Sequence, residues 1–574
     1  NLKFSSTYSL DHYFTRVYSF TPDYLTYDLK SAIQAANIAM TNIQTENILT
    51  YNLLLPHDQK LELMAGMTYN HELLQNLNGT AKGGPTNSIK YAGEGWPSLF
   101  NDNGTIRAAQ SFGTDKQEQS MVSFLGRAAY SYKKRYMAEL SIRSDGSSVF
   151  GKDVRWGTFP SVGLGWAFSE EAFMKKLWWL SFGKVRASWG KSGQKFQEPY
   201  LALGIMSESN VFNGSLGLIP QDMANPKLTW EESDQYDLGL DLQMLDYRLK
   251  LKLDYYYKYS SKLLMQSYLP GNVFLASRMW DNASAISNEG IEFEASYDII
   301  RNKKWNWTVG FNLSHNRNML RKTYNGEDLN DKVLGRPVYG IYTYKDEGIV
   351  QREEDIPMYR NASGKLMPLY FQSANNPLRV GGRKIKDQNY DGVIDDKDLY
   401  YAGSTLPAAY GGINSHLEWN GFSLDLLFSY TLGRKVMNMV KNSAFSFTKE
   451  FGVIMNKFNI HDFWTTNNRN AKYPSLEFAD KDYIGQFDGN VDSNIETISF
   501  LRLKQLVLGY KFPQNWLKKT FIKEANLYLS GENLFLLTNY SGVDPEVIDP
   551  YTGKDDGREY PLNRKITLGV NLKF

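Results

Sequence analysis

The chain has 574 residues, with 64 lysines and arginines against 62 aspartates and glutamates, and no cysteine. This balance argues against nucleic acid as a partner, and the missing cysteine removes disulfides, thiolate metal sites and thiol chemistry. Aromatics at 14% and charged residues at only 22% exclude a disordered chain. No run approaches the roughly 18 apolar residues of a membrane helix, but a mean hydropathy of −0.46 does not exclude a membrane barrel, whose polar lumen lowers the average.

The chain opens at Asn1 on residues that already alternate like a strand, with no basic or apolar leader, so it reads as a piece of something longer. Period-two alternation predicts about sixteen strands. In chain order they lie near residues 1–12, 43–55, 59–72, 121–134, 135–147, 158–169, 182–193, 230–245, 248–265, 288–300, 305–318, 410–420, 422–432, 498–512, 525–540 and 563–574. The pattern is clear at Leu61, Leu63, Ala65, Met67 and Tyr69, and again at Ile291, Phe293, Ala295, Tyr297 and Ile299, where Glu292, Glu294, Ser296 and Asp298 take the other face. A soluble sheet with one wet face alternates in the same way, but its strands average about 5–6 residues, whereas a tilted membrane strand needs about 9–11.

The connections support the membrane reading. Going backwards from the C-terminus they alternate long and short, with 433–497 and 319–409 long, and Gly421, Arg301 to Lys304 and Asp246-Tyr247 tight. A membrane barrel has brief periplasmic turns and elaborate outer loops. Tyr130, Tyr132 and Tyr136 around the Lys133-Lys134-Arg135 turn, and Trp178 and Trp179 beside a strand start, suit the interfacial aromatic belts. The fold class expected is therefore all-β, a transmembrane antiparallel β-barrel.

Catalytic patterns fail. The histidines at 12, 57, 71, 315, 416 and 461 form no H-E-x-x-H pair, no G-x-S-x-G elbow occurs, and Gly190-Lys191-Ser192 lacks the earlier glycine of a P-loop because Val185 stands there. The chain is not expected to be an enzyme. One loop carries ligand chemistry. Asp387, Asn389, Asp391, the Val393 carbonyl, Asp395 and Asp398 fall at positions 1, 3, 5, 7, 9 and 12 of a calcium loop, with Gly392 at the sharp turn and Ile394 between ligands. The last ligand is Asp rather than the usual Glu, as in dockerin-like loops. The expectation is a bound Ca²⁺ that orders the 319–409 connection.

Several stretches are similar to one family. They are Phe124-Leu-Gly-Arg-Ala-Ala-Tyr-Ser-Tyr132, Arg143-Ser-Asp-Gly-Ser-Ser148, Phe150-Gly151, Arg155-Trp-Gly157 and Phe159-Pro160, followed by Asn225-Pro-Lys-Leu-Thr-Trp-Glu231 and Tyr236-Asp-Leu-Gly-Leu240. Asp254-Tyr-Tyr-Tyr-Lys258 and Asn288-Glu-Gly-Ile-Glu-Phe293 come next, and near the end Phe500-Leu-Arg-Leu-Lys504, Leu508-Gly-Tyr-Lys-Phe-Pro513, Leu529-Ser-Gly-Glu-Asn-Leu-Phe535 and Tyr540-Ser-Gly-Val-Asp-Pro545. In this order they resemble the C-terminal barrel portion of the SusC/RagA family of TonB-dependent outer-membrane transporters of Bacteroidetes, over residues 1–574.

The resemblance implies a share of a 22-stranded barrel whose plug domain and first strands are absent from this chain. The remaining strands would come from another segment or chain, because an open edge in lipid leaves backbone groups unpaired at several kcal/mol each. It also implies active import of an oligosaccharide or oligopeptide through the outer membrane, energised by TonB through the plug, with a SusD-like surface lipoprotein on the long loops. Phe574, closing the last strand, resembles the signal read by the barrel-assembly machinery. Two rival readings stay open: a passive, self-closed 16-stranded porin, and an adhesive or structural barrel.

Overall fold

The computed structural model of the chain describes residues 1–26, 28–84, 86–88, 90–91, 99–100, 106–107, 110–212, 215–270, 276, 278–329, 332–440, 460–479, 490–557 and 559–574. Among them are sixteen strands of nine residues or more: β1 (Leu2–Thr21), β2 (Ala32–Leu55), β3 (Gln59–Lys82), β4 (Gln110–Tyr132), β5 (Tyr136–Ser147), β6 (Trp156–Trp166), β7 (Leu180–Gln194), β8 (Glu231–Met244), β9 (Leu249–Tyr268), β10 (Arg278–Arg301), β11 (Trp305–Lys322), β12 (Ala409–Trp419), β13 (Phe422–Asn438), β14 (Ile495–Lys511), β15 (Glu524–Thr538) and β16 (Lys565–Lys573). Each corresponds to one strand expected from alternation. The fold is all-β, and the strands have membrane-spanning length.

The chain divides into two compact units. In the first, β1 to β6 pair each with the next in antiparallel register. In the second, β11 to β16 do the same. Strands β7 to β10 contribute residues to both units.

Several strands run past their expected limits, and they do so at the end that leads into a long connection. Thus 1–12 becomes Leu2–Thr21, 43–55 becomes Ala32–Leu55, 59–72 becomes Gln59–Lys82 and 288–300 becomes Arg278–Arg301. The short-turn ends stay within about four residues of expectation, the usual boundary error. Alternation is imposed by lipid on one face, so the signal stops where the strand rises clear of the bilayer although hydrogen bonding continues.

The tight turns use left-handed backbone. Trp419 pairs directly with Phe422, and the intervening Asn420 and Gly421 have φ of 47° and 91°, the Asn-Gly type I′ hairpin whose twist matches the strands it joins. The three-residue turn between β4 and β5 puts Lys133 and Lys134 at φ 52° and 55°. Of the expected 433–497 connection, residues 441–459 and 480–489 lie outside the described residues.

Candidate functional site

In the first unit, two of the sequence motifs meet. The loop after β5 carries Val149 and Phe150, and the segment entering β8 carries Leu228 and Trp230; with Phe159, Phe196 and Leu201 they form a buried cluster. Phe150 lies 4.6 Å from Trp230 and 5.0 Å from Phe196, ring centre to ring centre. The Trp230 indole donates to the Arg155 carbonyl at 2.9 Å. A side chain at Gly151 would strike the Pro226 carbonyl, so glycine there permits the close approach of the two loops. The Asn225 amide donates to the Trp280 carbonyl at 2.8 Å. These motifs therefore build a loop core.

In the second unit, the connection between β11 and β12 folds around its own apolar cluster of Tyr344, Leu369, Phe371, Leu378, Ile385, Ile394 and Val491. Val491 comes from the other long connection, and polar bonds join the two. Asp492 accepts from Lys345 and from the Tyr400 hydroxyl, each at 2.7 Å. Burial works against ionisation of Asp492, yet these donors and the Asp346 amide hold its carboxyl below the usual range. Burial, then the Asp492 charge, pushes the Tyr400 phenol up to about 12. Beside them Arg383, almost fully buried, pairs with Asp346 at 2.6 Å, and Ser493 donates to the same carboxylate at 2.7 Å.

The six candidate calcium ligands sit in this connection. Asp387 accepts from the amides of Tyr390 at 2.7 Å and Gly392 at 2.9 Å. Asp398 accepts from Gln388 at 2.7 Å and Asp395 at 2.9 Å. Asn389 and Asp391 accept from the amides two residues on, at 3.0 and 2.9 Å. Asp395 caps the short turn Asp396–Asp398 through the Lys397 amide. Gly392 has φ 90°, and Val393-Ile394 pairs with Tyr370-Phe371 while Ile394 is fully buried. The loop thus has a left-handed glycine at its sharp turn and a buried hydrophobic residue paired across to Phe371. Among the described residues, no three acidic or histidine side chains converge as a metal cluster; here the carboxylates close the loop on backbone amides instead. Burial pushes the Asp398 carboxyl up, and the neighbouring Asp387 charge adds to it.

A third cluster joins two more of the sequence motifs, Phe500–Lys504 and Tyr540–Pro545, a meeting that the sequence does not show. Arg502 on β14, 3% exposed, pairs with Asp544 at 2.5 Å and with Glu546, and Lys504 pairs with Glu546 at 2.7 Å. The partners lie in the connection after β15, some forty residues away, so nothing local shows that the two stretches meet. Tyr540, in that connection, bonds Asp555.

A family model described as TonB dependent receptor-like, beta-barrel, matches residues 1–534. The chain is 30% identical over 553 residues to TonB-dependent receptor P26 of Formosa agariphila, covering 92% of this chain and 53% of that protein. It is 27% identical over 492 residues to TonB-dependent receptor SusC of Bacteroides thetaiotaomicron, covering 84% and 46% respectively. The chain spans about half the length of the curated relatives it matches. Among solved structures, the RagAB peptide transporter superposes with a TM-score of 0.79 at 22% identity, over 100% of this chain and 60% of that one. That likeness shows the fold.

Proposed function

The chain belongs to the TonB-dependent receptor-like β-barrel family of the outer membrane, and on that premise we propose that it is the C-terminal barrel portion of an active nutrient importer. The observation that carries this reading is the family match over residues 1–534 of an all-β chain. In the proposal a plug outside this chain receives TonB, a SusD-like lipoprotein docks on the long connections, and the cargo is an oligosaccharide or oligopeptide. The name of SusC and the peptide transport of RagAB motivate the partner and the cargo. The folded core shared by the two long connections supports a docking role, since it offers a preformed surface.

The test is uptake of a labelled oligosaccharide and a labelled oligopeptide by cells carrying the full-length protein, with and without TonB, alongside conductance of the purified protein in planar bilayers. TonB-dependent uptake with near-silent bilayers is expected. TonB-independent uptake with open conductance would favour the porin instead. Phe574, stacked on Phe521 at 5.4 Å, is proposed as the assembly signal, and its deletion should lower the heat-resistant fraction in membranes.

Orientation follows the same reading. The long connections face outward and the tight turns face the periplasm. A single cysteine placed at Asp396 in this cysteine-free chain should label on intact cells, and one at Gly421 should not; the reverse pattern would invert the topology.

We further propose that the 387–398 loop takes Ca²⁺ through Asp387, Asn389, Asp391, the Val393 carbonyl, Asp395 and Asp398. The support is the backbone course, with Gly392 left-handed and Ile394 anchored. Binding would turn the Asp387 and Asp398 carboxylates from backbone amides to the ion. Chelator should raise protease cleavage between 380 and 400 while the strands stay intact, and Asp391→Ala should mimic it. Equal protection with and without chelator, and no calcium in elemental analysis, would leave the amide-closed loop as the whole account.

A further inference from the structure

We propose that the upper ends of β1 to β4 carry a sugar-binding groove on the outward face, independent of the import reading. Register fixes the face. Tyr51, Leu49 and Ile43 of β2 lie on its apolar side, and the unbroken pairing of β2 with β1 and β3 keeps Asn37, Ala35 and Ile33 on that side. One row across the four strands reads Tyr18, Ala35, Gly79, Phe112. Two small residues form a floor between two aromatic walls.

Height excludes an acyl chain as the occupant. Ala35 lies about sixteen residues along β2 from Tyr51, which at ~3.3 Å per residue and ~40° of tilt is ~40 Å of rise, against an apolar band of ~25 Å. The groove stands clear of the hydrocarbon.

It is also built in advance. Asn87 donates to Asp23 at 2.6 Å, the Asp23 amide donates back to Asn87 at 3.1 Å, Lys82 pairs with Asp28 at 3.0 Å, and the Gly84 amide donates to Ser31 at 3.1 Å. These bonds hold the loops after β1 and β3 together and bring Tyr91 onto Tyr18, ring centres 4.9 Å apart and 26° from parallel. The resulting groove of about 740 Å³ includes Arg16, Asn37, Thr80 and Ser111 among its lining, within the range of small-molecule sites. Tyr91 and Phe112 are 73% and 84% exposed, an arrangement that a folded protein keeps for a ligand or partner.

The chemistry selects a pyranose. Flat ring faces attract the polarised C–H bonds of a sugar face. Arg16 and Asn37, which lie on the same face and whose side chains make no hydrogen bond to other described residues, can meet its hydroxyls. Among the described residues of the lining, Arg16 is the only charge, which does not suit a polyanion. The sugar could come from a free glycan or from the saccharide part of an outer-leaflet glycolipid.

The test is calorimetric titration of the full-length protein with maltoheptaose, laminarihexaose and the core oligosaccharide released from the source bacterium's own lipopolysaccharide. Tyr91→Ala, Phe112→Ala and Asn37→Ala should each weaken binding tenfold or more while heat-resistant migration on gels is unchanged. Binding of the glucans identifies a free glycan, and binding of the core oligosaccharide alone identifies the membrane source. No saccharide binding, or binding unchanged in all three variants, overturns the proposal. So does loss of a co-purifying surface protein in the variants with saccharide affinity intact, which would make the groove a protein contact.

Discussion

Arg502→Ala is expected to release the connection between β15 and β16 while leaving the strands assembled. Arg502 is 3% exposed and faces Asp544 and Glu546, the first of them equally buried. Removing the guanidinium strands a buried carboxylate, a loss of about 3–5 kcal/mol when one partner of a buried pair is deleted. Lys504 remains on Glu546, so the damage should centre on Asp544 and the Glu546 and Leu562 amides that it accepts. Hydrogen exchange should rise by two orders of magnitude or more across 540–562, since each 1.4 kcal/mol is tenfold in an opening equilibrium. A compensated variant with Arg502→Met, Asp544→Leu and Glu546→Leu should recover much of the protection, because apolar replacement of a buried ion network is often neutral. Exchange identical to the parent in Arg502→Ala would show that the network does not hold this connection.

Trp230→Ala is expected to have a comparable effect in the first unit. The indole fills the cluster around Phe150, Phe159 and Leu228, and truncating a buried tryptophan costs about 3–5 kcal/mol. Trp230→Phe keeps most of the ring packing and loses the bond to the Arg155 carbonyl, worth about 1 kcal/mol. Protease sensitivity at 148–155 and 225–229 should therefore rank alanine far above phenylalanine. Equal sensitivity of the two variants would assign the loop core to the hydrogen bond rather than to packing.

The membrane-embedded half of each strand was legible because lipid imposes a period of two on its residues. Beyond the bilayer both faces meet water, and Ala32-Ile33-Gln34-Ala35-Ala36 carries no alternation although β2 runs through it. The motifs around Phe150 and Trp230 were visible as motifs. Their meaning was not, since their contact spans about eighty residues and depends on the missing side chain at Gly151. The 387–398 loop lies between these cases. Gly392 and Ile394 dictate the turn and its anchor locally, whereas the choice of carboxylate partner depends on how deeply the loop sinks into a cluster built from Tyr344, Leu369 and Val491. Arg502 and Asp544 likewise lay in visible motifs whose meeting was not legible, and the Asp492 joint had no local signature, because each unites residues that only tertiary folding brings together.

The joint between the two long connections bears on how such a surface can diversify. Its fasteners, Lys345, Asp346, Arg383, Tyr400, Asp492 and Ser493, occupy only a few short stretches of chain. Elsewhere the first connection turns back in exposed tips such as Ala362–Lys365, closed by Asn361 bonding its own neighbours and by Arg360 on the Gly364 carbonyl. Tips of that kind accept insertions at little thermodynamic cost, because a doubling of loop length costs only about 0.6 kcal/mol of closure entropy. New loop contours can therefore be tried by lengthening the tips while the fasteners keep the scaffold in place, so that this surface can drift between lineages without refolding of the sheet beneath it.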